Sequence, residues 1–79
     1  MGDIMKYKVR SKLKDYLNSK GIKQKWLADQ IGTNSSRISI WCNNNDDGFC
    51  SNPPSLPYAL ALCSTLECEI HDLFIIIED

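Results

Sequence analysis

Ser35, Ser36, Arg37, Ser39 and Ile40 follow directly on Asn34, a residue type that caps helices well. If the segment is helical, at about 100° per residue, Ile38 and Trp41 point to one side with Cys42 beside them. The opposite face then centres on Ser36, with Ser39, Ile40 and Asn43 around it and Arg37 on its flank. A serine hydroxyl both donates and accepts, a guanidinium can grip guanine or phosphate, and an isoleucine can pack on a thymine methyl. Such a small, nearly uncharged face suits base-pair edges. The competing reading is a solvated helix on which one surface isoleucine is ordinary. For Arg37 the alternatives to guanine are a phosphate or an ion pair with Asp29.

Other chemistries find less support. Cys42, Cys50, Cys63 and Cys68 have gaps of seven, twelve and four residues, with no CxxC pair, and the single histidine, His71, lies three residues after Cys68. Structural zinc sites carry short ligand pairs, so buried reduced thiols are expected instead and no metal is assigned. "NNNDDG" resembles the start of a calcium loop, but the acid needed at its twelfth position falls on Pro54. No Ser or Cys has a base beside it and no glycine-rich phosphate cradle exists. No catalytic residues, no cofactor and no small-molecule ligand are therefore expected.

The net charge of −1 conceals a segregation. Residues 1 to 43 hold all nine Lys and Arg with three acids, a net of +6, whereas residues 44 to 79 hold seven acids and no Lys or Arg, a net of −7. Either the cations solvate the first helix, or one half faces a polyanion while the other turns away. The chain of 79 residues fits one small domain over 1–79, with a core at 4–74 and a tail at 75–79 left as a dimerisation segment. No apolar run approaches the roughly 20 residues of a membrane span, and the N-terminus lacks an apolar signal core, so a cytoplasmic location is expected.

Helices must position these residues. Val9, Leu13, Tyr16 and Leu17 share one helical face and predict a first helix over 4–19, with Lys6, Arg10 and Lys14 on a solvated stripe. Gly21 closes it. Gln24 to Ile31 form a second helix that buries Leu27, Ala28 and Ile31 and stops at Gly32; the third helix covers about 35–43. Two helices joined by a short turn containing glycine carry a helix-turn-helix signature. A polar loop runs from Asn43 to Pro54, with Phe49 tucked onto the body. Ser55 caps a fourth helix, expected to be buried nearly all round through Leu56, Ala59, Leu60, Ala61, Leu62, Cys63 and Leu66. A short fifth helix adds Ile70, Leu73 and Phe74 to the core.

Several residues in this order follow a known pattern. Gln24 opens the second helix, Ala28 follows four later, Gly32 closes it, Ile38 anchors the third, and Pro54-Ser55-Leu56 and Leu73-Phe74 begin and end the last part. The stretches KQKWLADQIGTNSSRISIW and PSLPYALALCSTLECEIHDLF thus resemble the Cro/lambda-repressor (XRE-type) helix-turn-helix family, over about residues 9 to 74. Three departures stand out. Lys23 occupies a position usually held by a Ser or Thr cap, Glu67 replaces the glycine between the last two helices, and the loop after the third helix is longer and carries Asp46-Asp47.

The resemblance implies an all-α, compact five-helix lambda-repressor-like bundle that binds double-stranded DNA as a transcription regulator, typically a repressor of bacterial or phage origin. It implies that the third helix enters the major groove, with base contacts from Ser35, Ser36, Arg37, Ser39 and Ile40. Phosphate contacts would come from Lys23, Gln24, Lys25, Asn34, Asn43 and Asn44. It also implies a homodimer, for which Ile70, Ile75, Ile76 and Ile77 are the candidate interface, either by strand pairing or by helix docking across a two-fold axis. A tail folded back over the first helix would account for the isoleucines equally well. The alternative function is a protein-binding adaptor or antirepressor that keeps the fold.

Overall fold

Residues 7–78 are described by the computed structural model, and the first element in them is a strand. Tyr7–Ser11 forms β1, which pairs antiparallel with β2, Phe74–Glu78, in a two-stranded sheet. The register sets Tyr7 against Glu78, Val9 against Ile76 and Ser11 against Phe74. This corrects the expected helix over 4–19 and the all-α class; residues 4–6, and with them Lys6, lie outside the described residues. The spacing from Val9 to Leu13 fits a helix, but YKVRS also alternates polar with less polar residues, and the β-branched run 75–77 supplies a partner strand. Pairing between distant segments has prevailed over the local pattern.

Helix α1, Leu13–Lys20, therefore starts later than expected. The Oγ of Ser11 accepts the N–H of Leu13 at 3.3 Å and donates to the carbonyl of Trp41, so this buried hydroxyl both starts α1 and ties it to the third helix. Gly21 ends α1 at φ 68°, a left-handed conformation that glycine adopts without a Cβ clash. The α2 helix, Gln24–Ile31, buries Leu27 and Ala28. Gly32 and Thr33 turn the chain into α3, Ser35–Cys42, which buries Ile38, Trp41 and Cys42. The α4 helix spans Leu56–Leu66 and α5 spans Ile70–Leu73.

The core joins Leu13, Leu17, Leu27, Ala28, Ile38, Trp41, Cys42, Leu62, Leu66, Leu73 and Phe74. Two expectations for it fail. Helix α4 is buried on one side only: Leu62 and Leu66 point inward, while Leu56 and Leu60 are 71% and 62% exposed. One small domain cannot enclose the whole helix: α4 packs on α2 and α5, with Tyr58 reaching Trp41 of α3, and its other side meets solvent. Ile70 also faces solvent and leaves the core to Leu73 and Phe74. Among the described residues no helix is long and apolar enough to cross a membrane.

Candidate nucleic-acid interface

The outward face of α3 is built by the cap before it and the core beneath it. Asn34 lies in extended backbone, and its Oδ1 accepts the N–H of Arg37 at 2.9 Å, which starts the helix. Ile38, fully buried, and Trp41 then fix the rotation of the helix about its axis. The sequence-derived set Ser35, Ser36, Arg37 and Ile40 is left exposed, with Ser39 half-buried. Ile40 is 49% exposed beside Asn43, Asn45, Ser51 and Asn52, which line a shallow cleft of about 220 Å³ at the end of the helix. The hydroxyls of Ser35, Ser36 and Ser39 have no hydrogen-bond partner among the described residues and are available to an outside ligand.

Arg37 departs from the rest of this face. Its guanidinium lies 5.8 Å from the centre of the Tyr58 ring, and Tyr58 packs at 5.1 Å on Trp41. The side chain therefore leans from the flank of α3 towards α4, and no ion pair with Asp29 forms. Tyr58 was not among the sequence-derived site residues. Its signal was weak, an aromatic in the first turn of a helix otherwise read as core.

Lys23, Gln24 and Lys25 gather at the start of α2, where unpaired backbone N–H groups favour anions. Lys23 sits at the N-cap and offers no side-chain cap. Both lysines are exposed, and Gln24 is half-buried. Trp26, also exposed, forms a shallow apolar hollow with Gly21, Ile22 and Lys23.

Asn43 and Asn44 do not stand alike. Asn43 caps the end of α3 and its side chain is exposed without an internal partner. The carboxamide of Asn44 is spent inside the protein: its Oδ1 accepts the N–H of Ser11 at 2.8 Å and its Nδ2 donates to the Ser11 carbonyl at 2.9 Å. That amide mimics a neighbouring strand along the outer edge of β1. The rest of the loop follows: the N–H of Cys50 donates to the Val9 carbonyl at 2.6 Å, and Arg10 Nε donates to the Gly48 carbonyl at 2.8 Å. Lys8 lies 4.7 Å over the Phe49 ring. Asp46 and Asp47 form the tip of a turn in which Asn45 Oδ1 accepts the N–H of Asp47 at 2.9 Å. The acidic loop is thus clasped to β1.

Among the described residues no three His, Cys, Asp or Glu side chains gather as ligands would. Burial pushes Cys42 up to about 11, and it raises Cys50 and Cys68 as well, so all three are held as neutral thiols. Cys63 and Cys68 meet at the end of α4, where the N–H of Cys68 donates to the Cys63 carbonyl at 3.1 Å. This is the closure of a helix whose next residue, Glu67, has left-handed backbone.

Comparison with known proteins bears on this geometry. Residues 12–79 match the family described as Cro/C1-type HTH DNA-binding domain. A crystal structure from Bacteroides fragilis, described as a candidate DNA-binding protein, is similar with a TM-score of 0.69 and 25% identity, over 85% of this chain and 98% of that one. No curated protein matches the chain.

Proposed function

The chain belongs to the Cro/C1-type helix-turn-helix DNA-binding family, and from that premise we propose that it is a sequence-specific transcription regulator that reads the major groove through α3 as a homodimer. One observation carries the reading. The outward face of α3 is largely exposed, charged only at Arg37 on its flank and without internal hydrogen bonds at its serines, while lysines stand at the start of the neighbouring helix. Ser35, Ser36 and Ser39 supply permissive hydrogen bonds to base edges, and Ile40 supplies an apolar contact to a thymine methyl. Lys23, Gln24 and Lys25 anchor a phosphate at the start of α2, with Asn34 and Asn43 available at the two ends of α3. Asn44 is the weakest of the phosphate candidates because its amide holds β1. Arg37, stacked on Tyr58, is better set for the backbone at the groove's rim than for a guanine at its floor.

The test is selection from a randomised duplex library, followed by anisotropy across a salt series. An enriched site with two-fold symmetry is the expected outcome. Lys23→Gln and Lys25→Gln should each weaken binding to all sequences alike and reduce the salt slope by about 1. Ile40→Ala should change which base is preferred at one position, at a cost of about 1 kcal/mol or more. Binding without enrichment would remove the sequence-specific part of the reading.

A protein-binding adaptor that keeps the fold is the second reading, favoured by the exposed Leu56 and Leu60. It requires that duplex affinity be absent even at low salt, and that the lysine substitutions change nothing.

A further inference from the structure

The four cysteines differ in how solvent reaches them. Cys42 and Cys50 are each 4% exposed, and the Cys50 thiol is turned inward onto the carbonyls of Ile40 and Trp41, 3.8 Å from each. Cys63 and Cys68 are half-buried and stand among exposed Ser64, Glu67 and Glu69. An oxidant in solution therefore meets Cys63 and Cys68 first.

The end of α4 holds these two residues together. The N–H of Cys68 donates back to the Cys63 carbonyl at 3.1 Å across the left-handed Glu67, a closure that brings the side chains on either side of the turn into contact. Standard bond lengths then keep the two Cα atoms within about 7 Å, the limit beyond which two cysteines cannot be bridged without moving the backbone. The thiols themselves meet: side-chain hydrogen bonds join Cys68 to Cys63 and to the Tyr16 hydroxyl. No third metal-ligating side chain among the described residues completes a site around them, which leaves the chemistry of a dithiol.

We propose that Cys63 and Cys68 form a site of reversible oxidative modification, at which a peroxide converts the two thiols into a disulfide across the turn between α4 and α5. One thiol gives up its proton and its sulfur attacks hydrogen peroxide. The O–O bond breaks, a sulfenic acid forms, and the departing oxygen takes the proton and leaves as water. The second sulfur then attacks the sulfenic sulfur. The S–S bond forms, the S–O bond breaks, and the hydroxyl leaves with the second thiol's proton as another water. Two electrons and two protons pass from the thiols to the peroxide. A small dithiol reverses the change by exchange and is itself oxidised to a disulfide. Burial raises the Cys68 thiol above its ordinary value, so the pair answers to peroxide in excess and not to traces. The bridge fastens the end of α4 to the segment that leads into α5, over a turn that a residue with a Cβ holds at φ 53°. The proposal is independent of the DNA-binding reading.

The experiment treats the reduced full chain, without DNA, with an excess of hydrogen peroxide at neutral pH. The protein is then unfolded, its remaining thiols are alkylated, and mass spectrometry follows cleavage after Glu67, which lies between the two cysteines. The expected result is the loss of two hydrogens and of two of the four alkylatable thiols. The Cys63 and Cys68 peptides should stay joined, with Cys42 and Cys50 alkylated in full, and dithiothreitol should restore all four thiols. Cys63→Ser and Cys68→Ser, each shown to be folded by circular dichroism, should form no internal bridge, and the cysteine left at the turn should be trapped by dimedone as a sulfenic acid. Four free thiols after the peroxide, a bridge between Cys42 and Cys50, or oxidation of Cys63 or Cys68 to a sulfinic acid while both are present would overturn the proposal.

Discussion

Asn43 and Asn44 are neighbours of the same type, and what separates them is where each amide finds a partner. Asn44→Ala removes two hydrogen bonds to the Ser11 peptide and exposes the edge of β1. It should cost about 1–3 kcal/mol in urea unfolding, against under about 0.5 kcal/mol for Asn43→Ala. Nothing in the sequence distinguishes the two, because the partner lies in a strand that local periodicity reads as helix. Ile38 and Trp41 were legible for the opposite reason: three positions apart on one helix, they need no distant information to share a face. Cys42 gives a second test at this scale. Its folded-state value is raised to about 11 from an ordinary thiol's 9.0. The fold favours the neutral thiol, so this contribution to stability is intact below about pH 9 and is lost as the pH rises towards 11. Thermal melts across that window should show falling stability, and the loss should be reduced in Cys42→Ala measured against its own neutral-pH melt.

Among the elements, α2 was readable to the residue and α3 to within one residue at its end, since Gly21 and Gly32 punctuate the pair and Asn34 caps α3. The β1 strand was not, because its evidence lies at the far end of the chain. Glu67 shows what an unfavourable local choice does to an element boundary. It ends α4 with φ 53°, the one non-glycine positive φ among the described residues. Left-handed backbone at a residue with a Cβ costs about 1–2 kcal/mol. Glu67→Gly should therefore raise the unfolding free energy by about 0.5–1 kcal/mol, the greater flexibility of glycine in the unfolded chain offsetting part of the relief. Unchanged or reduced stability of the variant in denaturant titration would show that the Glu67 side chain contributes at least as much as its strain costs.

At the scale of the molecule, the charge segregation read from the sequence carries only in part to the surface, because the loop bearing Asp46 and Asp47 is fastened to Arg10 of β1. Lysines mark the start of α2 beside the α3 face, whereas Asp46 and Asp47 sit on a loop clasped to β1 and Glu67, Glu69 and Asp72 belong to the α4–α5 end. Both lysine positions and the α3 face were legible without the structure; the fastening of the loop and the exposure of Leu56 and Leu60 depend on packing and were not. The sheet also decides how the whole holds together. A chain ending at Leu73 would lose the burial of Phe74 and the partner of β1, about 3–5 kcal/mol, a large share of the stability of a domain this size. Circular dichroism should show its near-ultraviolet signal from Trp41 lost at a temperature where the full chain keeps it.

Since β1 pairs with β2, the first described strand waits for a partner that is made only after all five helices. While the polypeptide is still being synthesised, α1 to α4 are available before β2 exists, and the clasp of Asn44 on Ser11 must hold a strand whose other side is open. Completion of the fold therefore waits until β2 has emerged from the ribosome, and a molecule cut short before Phe74 would carry an intact α3 sequence on a body unable to hold it still.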